Sequence, residues 1–558
     1  MESRIPRYRI RGPLASVATS DELGRIMRDA VPAHLRRQRW FGGKGRQISA
    51  VSLQDWSVLS LEPHVFVLAL IQTSYQDGPP ETFFLPLVAR SHASLETCSN
   101  LRPDEIIAIL DSESGFAVVY DALADQEFCK EIFQLIGCAG HSEASDGAFD
   151  FSHIAELHEW FSTATVSAVR RLGAEQSNSS VVLQTSSGEA LILKNFRRIV
   201  NGVNPDLEIS HFLTTRARFG NTPQLVGYGT YRGSEGFTAA ISALQRFIAN
   251  RGSAWDYTLE HLKALYRMAS ERARRYDRDH AAQGAASLQL ESDRARIWDV
   301  TRQFAESYLH DIARLGQVTG DLHRALASDA SDPDFRPESI TPADVTRWTR
   351  AMRDLLSLAI RTTRRQIDQQ PQPIQRELAA FLESKPLYEE KMEDLRLLVD
   401  GRAQKTRYHG DYHLGQVLKA ADGFVILDFE GEPARPLEER RAKHSPLKDV
   451  AGMLRSFNYA AHAALLDEAA AGPEEREHLE AWTAAWERLV CDEFLKGYLA
   501  ETVERGARFL PDSSESIDRV LSVFQLEKAI YELNYEINHR PGWLKIPLKG
   551  LQELAGQL

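Results

Sequence analysis

Between Tyr408 and Glu430 the chain carries the pattern that most limits its fold. Tyr408-His409-Gly410-Asp411-Tyr412-His413-Leu414-Gly415-Gln416 reads as a polar loop, and Asp428-Phe429-Glu430 closes the segment. Two short apolar runs lie between them, Gln416-Val417-Leu418-Lys419 and Phe424-Val425-Ile426-Leu427-Asp428. Asp422-Gly423 separates the runs and is a strong two-residue hairpin signal. With that turn at the tip, Val417 faces Asp428, and Gln416 and Asp428 share the open end near Asp411. Gly410 permits unusual backbone angles beside Asp411.

A carboxylate on a loop, with an amide and a second carboxylate at a hairpin's open end, is the equipment of phosphoryl transfer. That reaction needs positioned charges more than covalent chemistry. Asp411 is the candidate for orienting an acceptor hydroxyl and accepting its proton. Gln416 and Asp428 offer the hard oxygen ligands that Mg²⁺ prefers. The expected cofactors are ATP and Mg²⁺.

The nucleotide half should lie upstream. Val166 to Leu172 is a strand candidate, followed by the small polar loop Gln176-Ser177-Asn178-Ser179-Ser180. Val181-Val182-Leu183, a turn at Ser186-Ser187-Gly188, and Ala190-Leu191-Ile192-Leu193-Lys194 continue the pattern. The loop lacks a glycine-rich phosphate motif, but its backbone N–H groups and hydroxyls can bind phosphate oxygens. Lys194 ends an apolar strand. In Asn204-Pro205-Asp206-Leu207-Glu208, Asn204 is an N-cap and Pro205 a first helical residue. Glu208 is therefore placed in the first turn, where a carboxylate could orient Lys194. Ile241 to Ile248 reads as a buried strand leading to a hinge, with Gln245 and Phe247 as candidate nucleotide contacts.

At 558 residues the chain should hold roughly three or four units of ordinary domain size. A net charge of −12 argues against nucleic acid as a main partner. Cys98, Cys129, Cys138 and Cys491 form no Cys-x-x-Cys pair and read as reduced thiols of a cytoplasmic protein. The N-terminus lacks the apolar core of a signal peptide. The longest apolar run, Val65 to Ile71, is too short to span a membrane. Asp21 to His34 reads as a helix, and Gln38-Arg39-Trp40-Phe41-Gly42-Gly43-Lys44-Gly45-Arg46 as a tight turn or a phosphate contact. Strand-like runs follow to Ala89, and His141 to Asp150 has the composition of a linker. From Ala254 the pattern is mostly helical, with a capped start at Thr341-Pro342-Ala343-Asp344. The expected architecture is α+β and two-lobed. It has an N-terminal α+β cap (1–145), a small antiparallel β lobe (146–250) and a large helical lobe (251–558).

The His-Gly-Asp-x-His-x-x-x-Gln and Asp-Phe-Glu set resembles the maltokinases, relatives of the aminoglycoside phosphotransferases with a kinase-like fold. The flanking words are more specific: Gln38 to Arg46, Asn204 to Glu208, Asp428 to Leu437 with Arg440, and Ser445 to Ser456. Tyr531-Glu532-Leu533, Tyr535-Glu536 and Arg540-Pro541-Gly542-Trp543 extend the likeness almost to the end. The resemblance implies ATP-dependent phosphorylation of the anomeric hydroxyl of maltose. It also implies a trehalose synthase as partner and a chain that is the kinase part only. Candidate sugar contacts are His413, Glu430, Arg435, Arg440, Tyr531, Tyr535 and Trp543, since sugars are held by charged groups and aromatic faces. A kinase of another sugar, such as glucosamine, is an alternative that the acidic residues around Asp428 would suit. A non-catalytic module of a trehalose synthase assembly is a third reading.

Overall fold

The computed structural model describes residues 5–94, 98, 101–113, 115–172, 178–280, 290–467 and 473–556. The chain forms two compact units, Met1–Thr215 with Pro223–Ile248, and Arg216–Thr222 with Ala249–Leu558.

The first unit is built on two sheets. Val65–Tyr75 runs through the middle of an eight-stranded sheet, paired with Ile48–Ser60, Glu81–Phe84 and Leu87–Ser91. Its unbroken apolar run has a physical cause: both faces are covered. Phe66, Leu68 and Leu70 enter one core, and Val65, Val67, Ala69 and Ile71 enter another. Each of these side chains other than Ala69 contributes about 1.5–3 kcal/mol on burial. The first core also takes in Phe128, Ile132 and Phe133 of the Gln126–Gly137 helix. Val181, Leu183, Leu191 and Leu193 of the second sheet belong to it too, so the two sheets share one interior.

The second sheet has seven antiparallel strands, with Ala190–Asn195 between Ser179–Thr185 and Thr238–Arg246. Residues expected to form a linker instead form its edge. His141–Glu143 pairs with Gly147–His153, which pairs with Leu225–Gly233. The polar composition there reflects an exposed edge. The expected single helix over 21–34 is also divided. Ser20–Asp29 ends before Ala30, and Val31–Arg37 restarts with Pro32 in its first turn, a position where its missing N–H costs nothing.

The second unit is mostly helical. Thr341 caps the Pro342–Gln366 helix through a full capping box with Asp344. The longest helices, Leu290–Leu326 and Pro473–Thr502, meet backbone to backbone. A Cβ on Gly497 would run into the Ala313 carbonyl, and one on Gly316 into that of Phe494. All four cysteines are free. Among the described residues no helix is long and apolar enough to cross a membrane.

The hairpin ahead of Asp428 has a different register from the one expected. Val417 pairs with Ile426 and Ala420 with Gly423, so the tip is Ala421-Asp422. Gly423, at φ 138°, is the first residue of the return strand. Gln416 then meets Leu427, whose N–H donates to the Gln416 carbonyl at 2.9 Å, and Asp428 lies one residue past the ladder.

Replacing Gly497 with Ala should destabilise the protein by about 1–3 kcal/mol, the usual cost of overpacking, as read by denaturant unfolding. An unchanged midpoint would show that the two helices can separate without loss.

Candidate active site

Asp449 holds the His-Gly-Asp loop from below. It lies in the first turn of the Leu447–Asp467 helix and is 2% exposed. Its carboxylate accepts the N–H of His409 at 2.7 Å and that of Gly410 at 2.9 Å. The same oxygen that takes His409 also faces His323 Nε2 at 3.1 Å, and His323 Nδ1 shares a hydrogen bond with the Tyr498 hydroxyl at 3.0 Å. His323 comes from the Leu290–Leu326 helix and Tyr498 from Pro473–Thr502, so the glycine contact between those helices sets this relay. Thr319, one turn before His323, bonds the Tyr412 hydroxyl at 2.8 Å.

His409 ties the loop to the hairpin. Its Nε2 donates to the Leu427 carbonyl at 2.8 Å, and its Nδ1 accepts the Asp411 N–H at 3.3 Å. These two partners select one ring tautomer. Gly410, at φ 87°, lets the chain turn between them, and a Cβ there would press on Gly431. Asp411 therefore has a fixed backbone and a partly exposed carboxylate.

Lys528 Nζ stands 3.5 Å from Asp411 Oδ1, and His413 Nε2 is 4.0 Å from Oδ2. Burial opposes the Lys528 charge, but Asp411, Glu532 and Glu432 outweigh it and raise its pKa, so it remains an ammonium. Burial lowers the pKa of His413, whose Nδ1 accepts the Gly415 N–H at 3.0 Å. A small pocket at this point is lined by Asp411, Glu432, Arg435, Glu527, Lys528 and Tyr531, among others.

The Glu430 carboxylate, a candidate sugar contact, has an oxygen within 4.8 Å of one from Asp428. Gln416 Nε2 donates to Asp428 Oδ2 at 3.2 Å, and a half-turn of the amide would present its oxygen in the same place. Asp428 takes a left-handed φ of 64°, rare outside glycine and tolerated by Asp. Two carboxylates and an amide oxygen are a donor set suited to Mg²⁺.

In the first unit, Lys194 Nζ donates to Asp206 Oδ2 at 2.8 Å and lies 5.3 Å from the Phe196 ring. Asp206 is almost fully buried in the first turn of the Pro205–Thr215 helix, which Asn204 caps through the Leu207 N–H. Glu208 lies in that same turn. Ser180 is opposite Lys194 in the sheet, and Asn178 leads into that strand. Gln176 and Ser177 lie outside the described residues. Gln245 Nε2 points to Ser210 Oγ at 3.4 Å, and the Phe247 N–H is taken by the Ala190 carbonyl at 2.9 Å.

The remaining sugar candidates divide. Tyr531 lines the pocket, with Lys528 5.2 Å from its ring, and burial raises its hydroxyl pKa to about 12. Arg435 lines it too, but is engaged by Glu432 at 2.6 Å, Glu439 at 3.4 Å and Glu527 at 3.5 Å. Burial opposes ionisation of Glu527, but Lys448 and Arg435 overcome it and lower its pKa. Arg440 donates to the Glu430 carbonyl at 3.2 Å. Tyr535 is exposed and stacks on His539, while Trp543 stacks on Tyr459, and neither lines the pocket. Sequence reasoning missed Asp449, Glu432, Asp206 and Lys528. Lys528 was within reach, because it shares a helix face with Tyr531 and Tyr535.

A strand lysine paired with a helix carboxylate, a His-Gly-Asp loop and an acid-ended hairpin define a kinase-like α+β fold, and the comparisons support a phosphotransferase of that class. Residues 34–125 match the model of the maltokinase N-terminal cap domain. A glucosamine kinase of Streptacidiphilus jiangxiensis is 24% identical over 401 residues, 71% of this chain and 76% of the relative. A second, from Mycolicibacterium smegmatis, is 31% identical over 149 residues, covering 27% of this chain and 34% of that protein. A solved glucosamine kinase in complex with glucosamine, ADP and inorganic phosphate has the same fold, with a TM-score of 0.60 at 20% identity, covering 96% of this chain and all of its own.

Asn at position 449 would keep the size but lose the charge that holds two N–H groups. Charge-assisted bonds contribute about 1.5–3 kcal/mol. Asp449→Asn should therefore lower kcat about tenfold to a hundredfold with KM for ATP little changed. A full kcat would mean that the loop keeps its geometry without the carboxylate.

Proposed function

We propose that this chain is an ATP- and Mg²⁺-dependent sugar kinase that phosphorylates the anomeric hydroxyl of maltose. Asp411 orients that hydroxyl and takes its proton as the bond to phosphorus forms. Lys194, anchored by Asp206, holds nucleotide phosphates. Gln416, Asp428 and Glu430 would hold Mg²⁺, which supplies positive charge to the phosphates. The carrying observation is the Asp411 carboxylate, fixed by backbone bonds on a loop and lined up with Lys528 and Tyr531 in one pocket. Tyr531 offers a ring face for a sugar, and Lys528 donates to its hydroxyls.

A neutral acceptor is favoured by the half-buried Lys528 ammonium, because a second ammonium beside it would meet like charge. The match of residues 34–125 to a maltokinase cap supports the same choice. Glucosamine is the second reading. It is supported by the names of the relatives and by Glu432, whose carboxylate lines the pocket.

ADP release measured with ATP, Mg²⁺ and a panel of maltose, glucose and glucosamine separates these readings. Maltose should give the highest kcat/KM, by about tenfold or more over glucosamine, a difference of about 1.4 kcal/mol. Preference for glucosamine would overturn the acceptor and keep the kinase. No sugar-dependent ADP release would overturn both.

A further inference from the structure

A second charged cleft lies in the first unit, and of the candidate phosphotransfer residues only Asn178, Ser179 and Ser180 border it. It has a volume of about 480 Å³ and is lined by Arg37, Arg39, Arg102, Arg171 and Arg197. Three carboxylates also line it, those of Asp104, Glu105 and Asp121. Five guanidinium groups against three acids leave an excess of two positive charges, in a chain whose net charge is −12. Glu105 is shared between Arg102 at 2.9 Å and Arg171 at 2.6 Å. Asp121 binds Arg197 Nη2 at 2.6 Å. Arg39 is exposed and has no ion-pair partner among the described residues.

Arg197 is the unusual member. It is 2% exposed, lies over the Trp40 ring at 4.8 Å, and donates through Nε to Ser179 Oγ at 2.8 Å. Its Nη1 is buried with no hydrogen-bond partner, as is Arg37 Nε. A buried guanidinium N–H normally finds an acceptor, so an unmet one in a basic cleft points to a missing anion.

Ser179 and Val181, which line the cleft, turn their side chains to the face of the sheet away from Lys194. Side chains alternate along a strand. Ser179 and Val181 pair with Asn195 and Leu193, and Val181 enters the core shared by the two sheets. Ser180, opposite Lys194, alternates to the other face and borders the cleft only at its edge. Arg197 reaches Ser179, at the start of the strand that follows the small polar loop. The Gln38-Arg39-Trp40 word supplies one wall, while Gly42–Gly45 forms only a short turn beside it.

We propose that this cleft binds a phosphate-class oxyanion, with room for the small organic body of a phosphate monoester. Bidentate guanidinium groups match such oxygens, and the bound anion would meet Arg37, Arg39 and Arg197 together. Occupancy at Arg197 would be felt at Ser179, the first residue of the strand behind the nucleotide face.

Calorimetric titration of the intact protein with orthophosphate, and separately with glucose 1-phosphate, tests this. Both should bind, the ester more tightly if its organic body is accommodated. Arg39→Gln, and separately Arg37→Gln, should weaken both about tenfold with the unfolding midpoint retained. Saturating Mg²⁺-ADP, which fills the nucleotide site, should leave both affinities within about twofold. No binding at millimolar probe would overturn the proposal. Unchanged affinity in the folded Arg variants, or loss of binding on saturation with Mg²⁺-ADP, would do so as well. Failure here leaves the sugar kinase reading standing, because that reading is tested by ADP release.

Discussion

One buried carboxylate fixes the candidate catalytic loop. Asp449 spends both oxygens on consecutive backbone N–H groups, which would otherwise have to be satisfied by a flexible loop or by water. A buried charge with three donors around it is stable only while all of them stay in place. That requirement runs outward through His323 and Tyr498 to the two longest helices, whose close approach depends on Gly316 and Gly497. The loop's precision is thus a property of the whole helical unit.

The charged groups around Asp411 follow the same logic. Arg435, Glu432, Glu527 and Lys448 neutralise one another in a network that leaves Lys528 to answer Asp411. Arg435, expected to touch sugar, is largely occupied with holding Glu432 and Glu527. Its contribution to an acceptor is to set the positions of carboxylates that line the pocket. In the first unit the Lys194–Asp206 pair is nearly as sheltered, and strand alternation turns Ser179, the residue that Arg197 reaches, away from Lys194.

Local signals in the sequence translated well. The apolar run at Val65, the capping box at Thr341 and the Asn204-Pro205 helix start all rest on chemistry within a few residues. The His-Gly-Asp loop and the acidic end of the hairpin were legible for the same reason. The hairpin register was not, because Asp422-Gly423 has the composition of a turn, whereas the positive φ of Gly423 lets it begin the return strand. Asp449 lies 40 residues beyond His409, and Lys528 lies 117 beyond Asp411, so only tertiary packing reveals either. That Asp206 reaches Lys194 is not legible from spacing, since Asp206 and Glu208 both stand in the first turn of one helix. Polar strands at a sheet edge, as at His141 to Asp150, carry no apolar alternation and so read as a linker.

The central claim is that the Asp411 carboxylate takes the acceptor's proton during phosphoryl transfer. Asp411→Asn keeps the size and the backbone bonds of the loop and removes that capacity. Single-turnover transfer from ATP to maltose should slow by about 10²–10⁴-fold, the usual worth of a general base, while ATP binding stays at the wild-type level. Transfer at the wild-type rate in that variant would contradict the account.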